Sequence, residues 1–376
     1  MSASAELSAP KSSGPEPKAS FIARHRQKLV LSAIITALML YSLQKGGLSL
    51  VPSASDFAQV KWWTVPAYFV PLGIMSYFRA VRWRFLLRPI ADVPRKRILA
   101  VSWIGFAAIL LLPFRLGEFV RPMMLREKGK ISGSAATGTV VAERVVDGLY
   151  LSIVLALALV LVPHIEPLPE RVVNLPISVA RVRQSGFVML GVFAIAFVVI
   201  GVYYFARTWA HRLTLAVFGV VSKRLGEKLA GMAERLADGL HFFSRGRDSF
   251  GFLVETTLYW FFNAAGMWLL AWGSGVVHEG GSAITFGESC ALMGMLGITI
   301  LIPGPPGLLG TFQAGIYAGM TMYFPTAIVT GPGRAYVFLI YLTQLVWTVL
   351  SALFFLVVDR SALQKLSTAE DEQADD

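Results

Sequence analysis

The chain has 376 residues, of which 55% are hydrophobic and only 15% charged, and its mean hydropathy is +0.61. Soluble domains carry about 25% charged residues, so an ordinary soluble globule is excluded; repeated apolar windows of about 20 residues argue for one polytopic helical bundle. The net charge of +11 is concentrated in residues 1–130, where 19 Lys/Arg face 6 Asp/Glu in short segments beside apolar runs. That is the positive-inside pattern, and it makes anionic lipid headgroups the expected partner and nucleic acid an unexpected one.

Residues 1–20 are rich in Ser, Ala and Pro without an apolar period, which predicts a disordered cytoplasmic tail. Arg24, Arg26 and Lys28 precede an apolar run at 29–43, read as a retained first span because no small-residue cleavage site follows. A second span, 64–87, opens on Trp62 and Trp63 and runs into a cationic patch of Arg79, Arg82, Arg84, Arg88, Arg95, Lys96 and Arg97. The patch reads as topology and headgroup attraction at a cytoplasmic loop. The stretch 98–112 is apolar but short, breaks at Pro113, and ends in the basic REKGK at 126–130, so both flanks belong on one side: a re-entrant hairpin.

Residues 135–162 form the next span, 163–184 an outer loop, and 187–206 the return. Segment 207–248 places Leu225, Leu229, Met232, Leu236, Leu240 and Phe243 at helical spacing among charges, an amphipathic helix on the cytoplasmic surface. Residues 250–272 cross outward. The run 284–302 then breaks at PGPPGLLG (Pro303, Gly304, Pro305, Pro306, Gly307, Gly310), continues to about 323, and 335–358 returns. No basic residue occurs from 276 to 333, so this second hairpin enters from the opposite face. The expected fold is an all-α polytopic membrane protein with about six full spans and two oppositely oriented re-entrant helical hairpins. The membrane domain covers 21–360, both termini lie inside a plasma (bacterial inner) membrane, and 361–376 is an acidic tail. Gly/Pro-broken elements in corresponding places of two halves are the mark of an inverted repeat.

Charges inside apolar runs mark the candidate site, since a charge at the bilayer centre costs about 2.5–3.5 kcal/mol on insertion scales. Arg115, Glu118 and Arg121 recur every three residues and would share a helix face. Two guanidiniums suit an anionic headgroup, with Glu118 holding them; the plainer reading is a salt bridge anchoring the hairpin. Glu143, Arg144 and Asp147 form a second cluster, which closes over the first or carries a proton, or else is a helix-end network facing cytoplasmic water. The Pro/Gly break offers backbone N–H groups to a ligand, or is a tight turn.

Other chemistry is poorly represented. Cys290 is alone, excluding a disulfide framework and a Cys-rich metal site. His25, His164, His211, His241 and His278 are scattered, so no metal is expected, and without a phosphate-binding GxxxxGK[ST] loop no cofactor is expected either. Glu255, Asn263 and Glu288 lie near span ends, where solvation explains them.

The segment LLPFRLGEFVRPMMLREKGKISGSAATGTVVAERVVDGL resembles the membrane domain of lysylphosphatidylglycerol synthases, a flippase-like family. Its P-x-R-x-G-E-x-x-R pattern falls on Pro113, Arg115, Gly117, Glu118 and Arg121, its E-R-x-x-D on Glu143, Arg144 and Asp147, and its P-x-x-x-G-x-x-G on Pro303, Gly307 and Gly310. The resemblance covers about residues 25–360. It implies a lipid-translocating module with re-entrant elements around a central cavity, often a homodimer. The aminoacyl-transferase domain of bifunctional relatives is expected to be absent, and with it the synthase activity. Where relatives often carry an acid after the second break, this chain has Gln313, which puts proton coupling there in question.

Two functions follow as expectations. The first is a transporter moving an anionic phospholipid or lipid-linked headgroup between leaflets. The alternative is a membrane-embedded transferase, or an accessory subunit, in lipid-linked glycan or hopanoid metabolism. Charges straddling broken helices, without an evident nucleophile and base, favour the first.

Overall fold

Long apolar runs without water to satisfy their backbone must hydrogen-bond internally, and in this chain they do so as helices. The computed structural model describes residues 21–112, 117–126, 131–220, 222–239, 246–301 and 306–358. The expected tails, Pro113, Arg115, Leu240, Phe243, Pro303, Gly304 and Pro305 lie outside these residues. The helices are α1 (Phe21–Lys45), α2 (Thr64–Val81), α3 (Trp83–Leu87), α4 (Arg95–Leu111), α5 (Val120–Leu125), α6 (Gly133–Leu161) and α7 (Val179–Phe205). They continue with α8 (Arg207–Phe218), α9 (Lys223–Gly239), α10 (Gly246–Gly273), α11 (Phe286–Leu301), α12 (Thr311–Tyr323), α13 (Thr326–Val329) and α14 (Pro332–Val358).

Ala135–Leu161, Val179–Phe205 and Thr326–Val358 are long and apolar enough to cross a membrane, with mean hydropathies of 2.1, 2.5 and 2.0. Their outer faces stay apolar. Val188, Val192, Ile195 and Val198 on α7, and Leu350, Leu353, Phe354 and Val357 on α14, are exposed. So much contiguous apolar surface suits lipid and not water.

The centre of the bundle is the antiparallel pair α2–α10, in which Gly273 and Gly266 lie against Thr64 and Tyr68, and Gly251 of α10 meets Phe85 of α3. Around it the packing repeats with the halves exchanged. Helix α4 packs on α14, and α11 packs on α6. Each of α4 and α11 opens a helix–break–helix hairpin. In the first, the chain turns so tightly that a Cβ on Gly117 would stand 2.1 Å from the backbone of Ala108 and Ile109, and Arg121 comes back beside Gly105. In the second, Gly315 and Gly319 of α12 return against Leu296 and Leu292 of α11. The α4–α5 hairpin has its ends beside Trp83 and Phe252, where Leu125 joins their cluster. The α11–α12 hairpin has its ends at the opposite end of the bundle, where Gly287 meets Val162 and the Met322 carbonyl accepts from the Ile165 N–H.

Two boundaries depart from the sequence reading. The return helix α7 starts at Val179, not 187, because Ser178 precedes a regular first turn that carries Arg181 and Arg183. Hydropathy places a boundary where charge ends, and this helix outlasts its apolar stretch. The expected single amphipathic helix is two, α8 and α9, broken near Gly219, where a Cβ would press on the Leu215 carbonyl oxygen at 2.2 Å. Glu234 of α9 pins the elbow, 2.9 Å from His211 and 3.5 Å from Arg207 of α8.

Candidate functional site

Both hairpins line one cavity of about 550 Å³. Glu118 and Phe119 line it from the first, Leu308 and Phe312 from the second, and the 306–308 turn rests against α4. Arg79, Glu118, Arg144 and Asp147 give the cavity a charged end; Ile109, Leu110, Leu155, Met293, Ile298 and Leu345 make much of the remainder apolar.

Behind the charged end lies a buried ion network. Glu143 and Asp147, one turn apart on α6, face inward at 0% and 5% exposure. Arg82, at 0% exposure just beyond the end of α2, donates to both oxygens of Asp147 at 2.6 Å. It also donates to Glu143 at 3.1 Å and to the Thr256 hydroxyl of α10 at 3.0 Å. Arg121 donates to the other Glu143 oxygen at 3.1 Å. Arg144 reaches Glu143 at 3.3 Å and Asp147 at 3.7 Å. Aromatic faces complete the shell: Arg82 lies 4.8 Å from the Tyr259 ring centroid, and Arg121 lies 4.2 Å from that of Trp83. Such faces attract guanidinium charge, most strongly where water is excluded. The Trp83 indole N–H in turn donates to Thr139 at 3.0 Å.

The structure therefore divides the expected site. Glu118, Arg144 and Asp147 line the cavity, whereas Arg121 turns into the bundle under Trp83 with Glu143 as its counter-ion. The one-face expectation for Glu118 and Arg121 assumed a continuous helix. Residues 117–119 instead form a 3₁₀ turn before α5, so the two side chains diverge. The central cation, Arg82, is assigned to a cytoplasmic loop patch by the sequence reading and is in fact fully buried. A signal was present: Arg79, Arg82 and Arg84 interrupt an apolar stretch, FRAVRWRFLL, as the motif charges do.

Neither Glu255 nor Glu288 is simply solvated. Glu255 pairs with Arg84 at 2.5 Å. Glu288 accepts the Thr285 N–H at 2.7 Å, capping α11, and lies 3.0 Å from His278. Asn263 lines the cavity.

At the second break Gly307 and Gly310 have φ of +73° and +92°, the left-handed region that favours glycine. The Tyr341 hydroxyl donates to the Gly307 carbonyl at 2.9 Å. Gln313, 4% exposed, accepts the Gly310 N–H at 2.7 Å through its side-chain oxygen, so its work here is to cap α12.

A helical bundle with three helices long and apolar enough to cross a membrane defines the class of α-helical integral membrane proteins. Within that class, the family described as the lysylphosphatidylglycerol synthase TM region matches residues 28–352, and the chain belongs to that family. No curated protein and no solved structure matches it.

Proposed function

We propose that the protein moves an anionic phospholipid, or a lipid-linked anionic headgroup, between leaflets. The observation that carries this reading is the cavity between two broken helices, ionic at one end and apolar along much of the rest. Its volume falls within the roughly 300–1,000 Å³ of small-molecule sites, enough for a headgroup and the first part of its tails. In this reading the α4–α5 and α11–α12 hairpins are re-entrant from opposite faces, and α1, α2, α6, α7, α10 and α14 are the full spans. The end carrying Arg95, Arg126 and α8–α9 faces the cytoplasm, in keeping with its basic charge. In this reading the ion network serves binding and not bond-making chemistry, because its charges engage one another.

The test is proteoliposomes carrying fluorescent phosphatidylglycerol in both leaflets, with quencher added outside. Protein-containing vesicles are expected to lose fluorescence beyond the outer-leaflet half, and protein-free vesicles are not. Quenching that stops at half in both overturns transport. A modified lipid headgroup found by mass spectrometry after incubation with aminoacyl-tRNA or an activated sugar would favour the transferase instead. Single-cysteine labelling on a Cys290→Ser background tests the topology. Cysteines at Lys96 and Arg126 should label from one side, and one at Gly281 from the other.

A further inference from the structure

Among the described residues, four arginines and three acids meet at the polar end of the cavity, and they are not evenly matched. Asp147 has both oxygens on Arg82, and Glu143 is shared by Arg82, Arg121 and Arg144. Glu118 lies close enough to Arg144 to act on its charge. Arg79 stands apart. Among the described residues no carboxylate lies within ion-pair distance of it, and its Nε, like those of Arg82, Arg121 and Arg144, is buried with no hydrogen-bond partner. Its guanidinium is held 4.1 Å from the Phe106 ring centroid, and both side chains line the cavity.

A ring face orients a guanidinium without neutralising it, and the carboxylates that act on Arg79 from beyond ion-pair distance, Glu143 and Asp147, are already engaged by Arg82, Arg121 and Arg144, so its charge is only partly offset and expensive to maintain. An anion placed beside Arg79 would relieve that cost. Glu118 and Asp147 share the cavity wall and would repel the anion, but Arg144, on the same wall and 3.7 Å from Asp147, offsets that repulsion. Leu110, Ile298 and Leu345 line the same cavity, and an apolar tail attached to the anion would lie against them.

We infer that Arg79 is the anchor for an anionic headgroup oxygen, phosphate or carboxylate, of the lipid in the cavity. Arg144 is the second donor, because its contacts with Glu143 and Asp147 are long. This rests on the reading of the cavity as a lipid site. It moves the anchor from the motif arginine Arg121 to a residue on α2, and predicts selectivity for net-anionic over zwitterionic headgroups. The fork of the guanidinium suits paired phosphate oxygens in a way a lysine ammonium does not.

The experiment measures dissociation constants of fluorescent phosphatidylglycerol and phosphatidylcholine for the purified protein in detergent, together with melting temperature. Arg79→Gln should weaken phosphatidylglycerol binding about tenfold or more and leave phosphatidylcholine within about twofold, as expected for losing charge-assisted hydrogen bonds. Arg79→Lys should recover part of the loss. Arg79→Met, which keeps the apolar stem on Phe106, serves if the glutamine variant fails to fold. Arg224→Gln, at an exposed position on α9, should bind as wild type does. Unchanged phosphatidylglycerol affinity in folded Arg79→Gln or Arg79→Met overturns the anchor alone. A wild-type protein that binds neither lipid removes the lipid reading itself. Displacement of the lipid by millimolar inorganic phosphate would make this a site for a free anion and overturn the headgroup assignment.

Discussion

Arg82 is the residue on which the site's electrostatics turn, because two carboxylates that would otherwise be buried charges converge on it. Removing one partner of a buried ion pair costs about 3–5 kcal/mol, chiefly by stranding the other. Arg82→Met should therefore lower the melting temperature sharply in detergent. Adding Asp147→Asn should recover part of the loss, since one stranded charge is then gone. If the double variant is as unstable as the sum of the single ones, the pair is not coupled. Arg144→Gln should cost much less, because its side chain is 23% exposed and its contacts are longer. The motif acids Glu143 and Asp147 were legible in the sequence as intramembrane charges. Their principal partner was not, because Arg82 lies 61 and 65 positions away, and periodicity within one helix cannot report a contact made by tertiary packing.

At the scale of elements, the breaks were legible and their purpose was not. Pro and Gly announce that a helix stops, but only the packing shows that Gly117 is needed because two backbones touch, whereas Gly307 and Gly310 are needed for their positive φ. Gly117→Ala should open the first hairpin and destabilise the protein by more than the ordinary glycine-to-alanine effect. Gly191→Ala, which meets nothing within 4 Å on α7, should be neutral or slightly stabilising. Equal melting temperatures for the two variants would contradict the close approach. The α8–α9 elbow shows a subtler limit, since a stripe of leucines predicts a helix face and not where the helix bends. There burial works to raise the Glu234 carboxyl, but hydrogen bonds from His211 and Arg207 outweigh it and hold the group below its ordinary value. A depressed carboxylate contributes stability above its unfolded pKa and loses it as pH falls through the folded one. Protection of α8–α9 from proteolysis should accordingly weaken in acid, below the ordinary carboxylate range. In Glu234→Gln that acid step should disappear.

For the molecule as a whole, the exchanged packing of α4 on α14 and α11 on α6 means that neither half encloses the cavity by itself. Hydropathy and breaker placement suggested two similar halves. The way each half's hairpin packs on the closing helix of the other depends on side-chain fit and could not be read from either half alone. A shared cavity has a functional consequence that two independent channels would lack. If the proposed lipid movement runs through it, an obstruction introduced from one half should stop that movement as completely as one introduced from the other. Leu110 on α4 and Ile298 on α11 are both partly buried and line the cavity, so Leu110→Trp and Ile298→Trp fill it from opposite sides. Each should reduce lipid movement in proteoliposomes about tenfold or more while the melting temperature stays near that of wild type. The two replacements together should do little further harm to transport, since a blocked passage cannot be blocked twice. If each single variant instead halves the rate and the pair abolishes it, the halves carry separate paths and the common cavity is not the route.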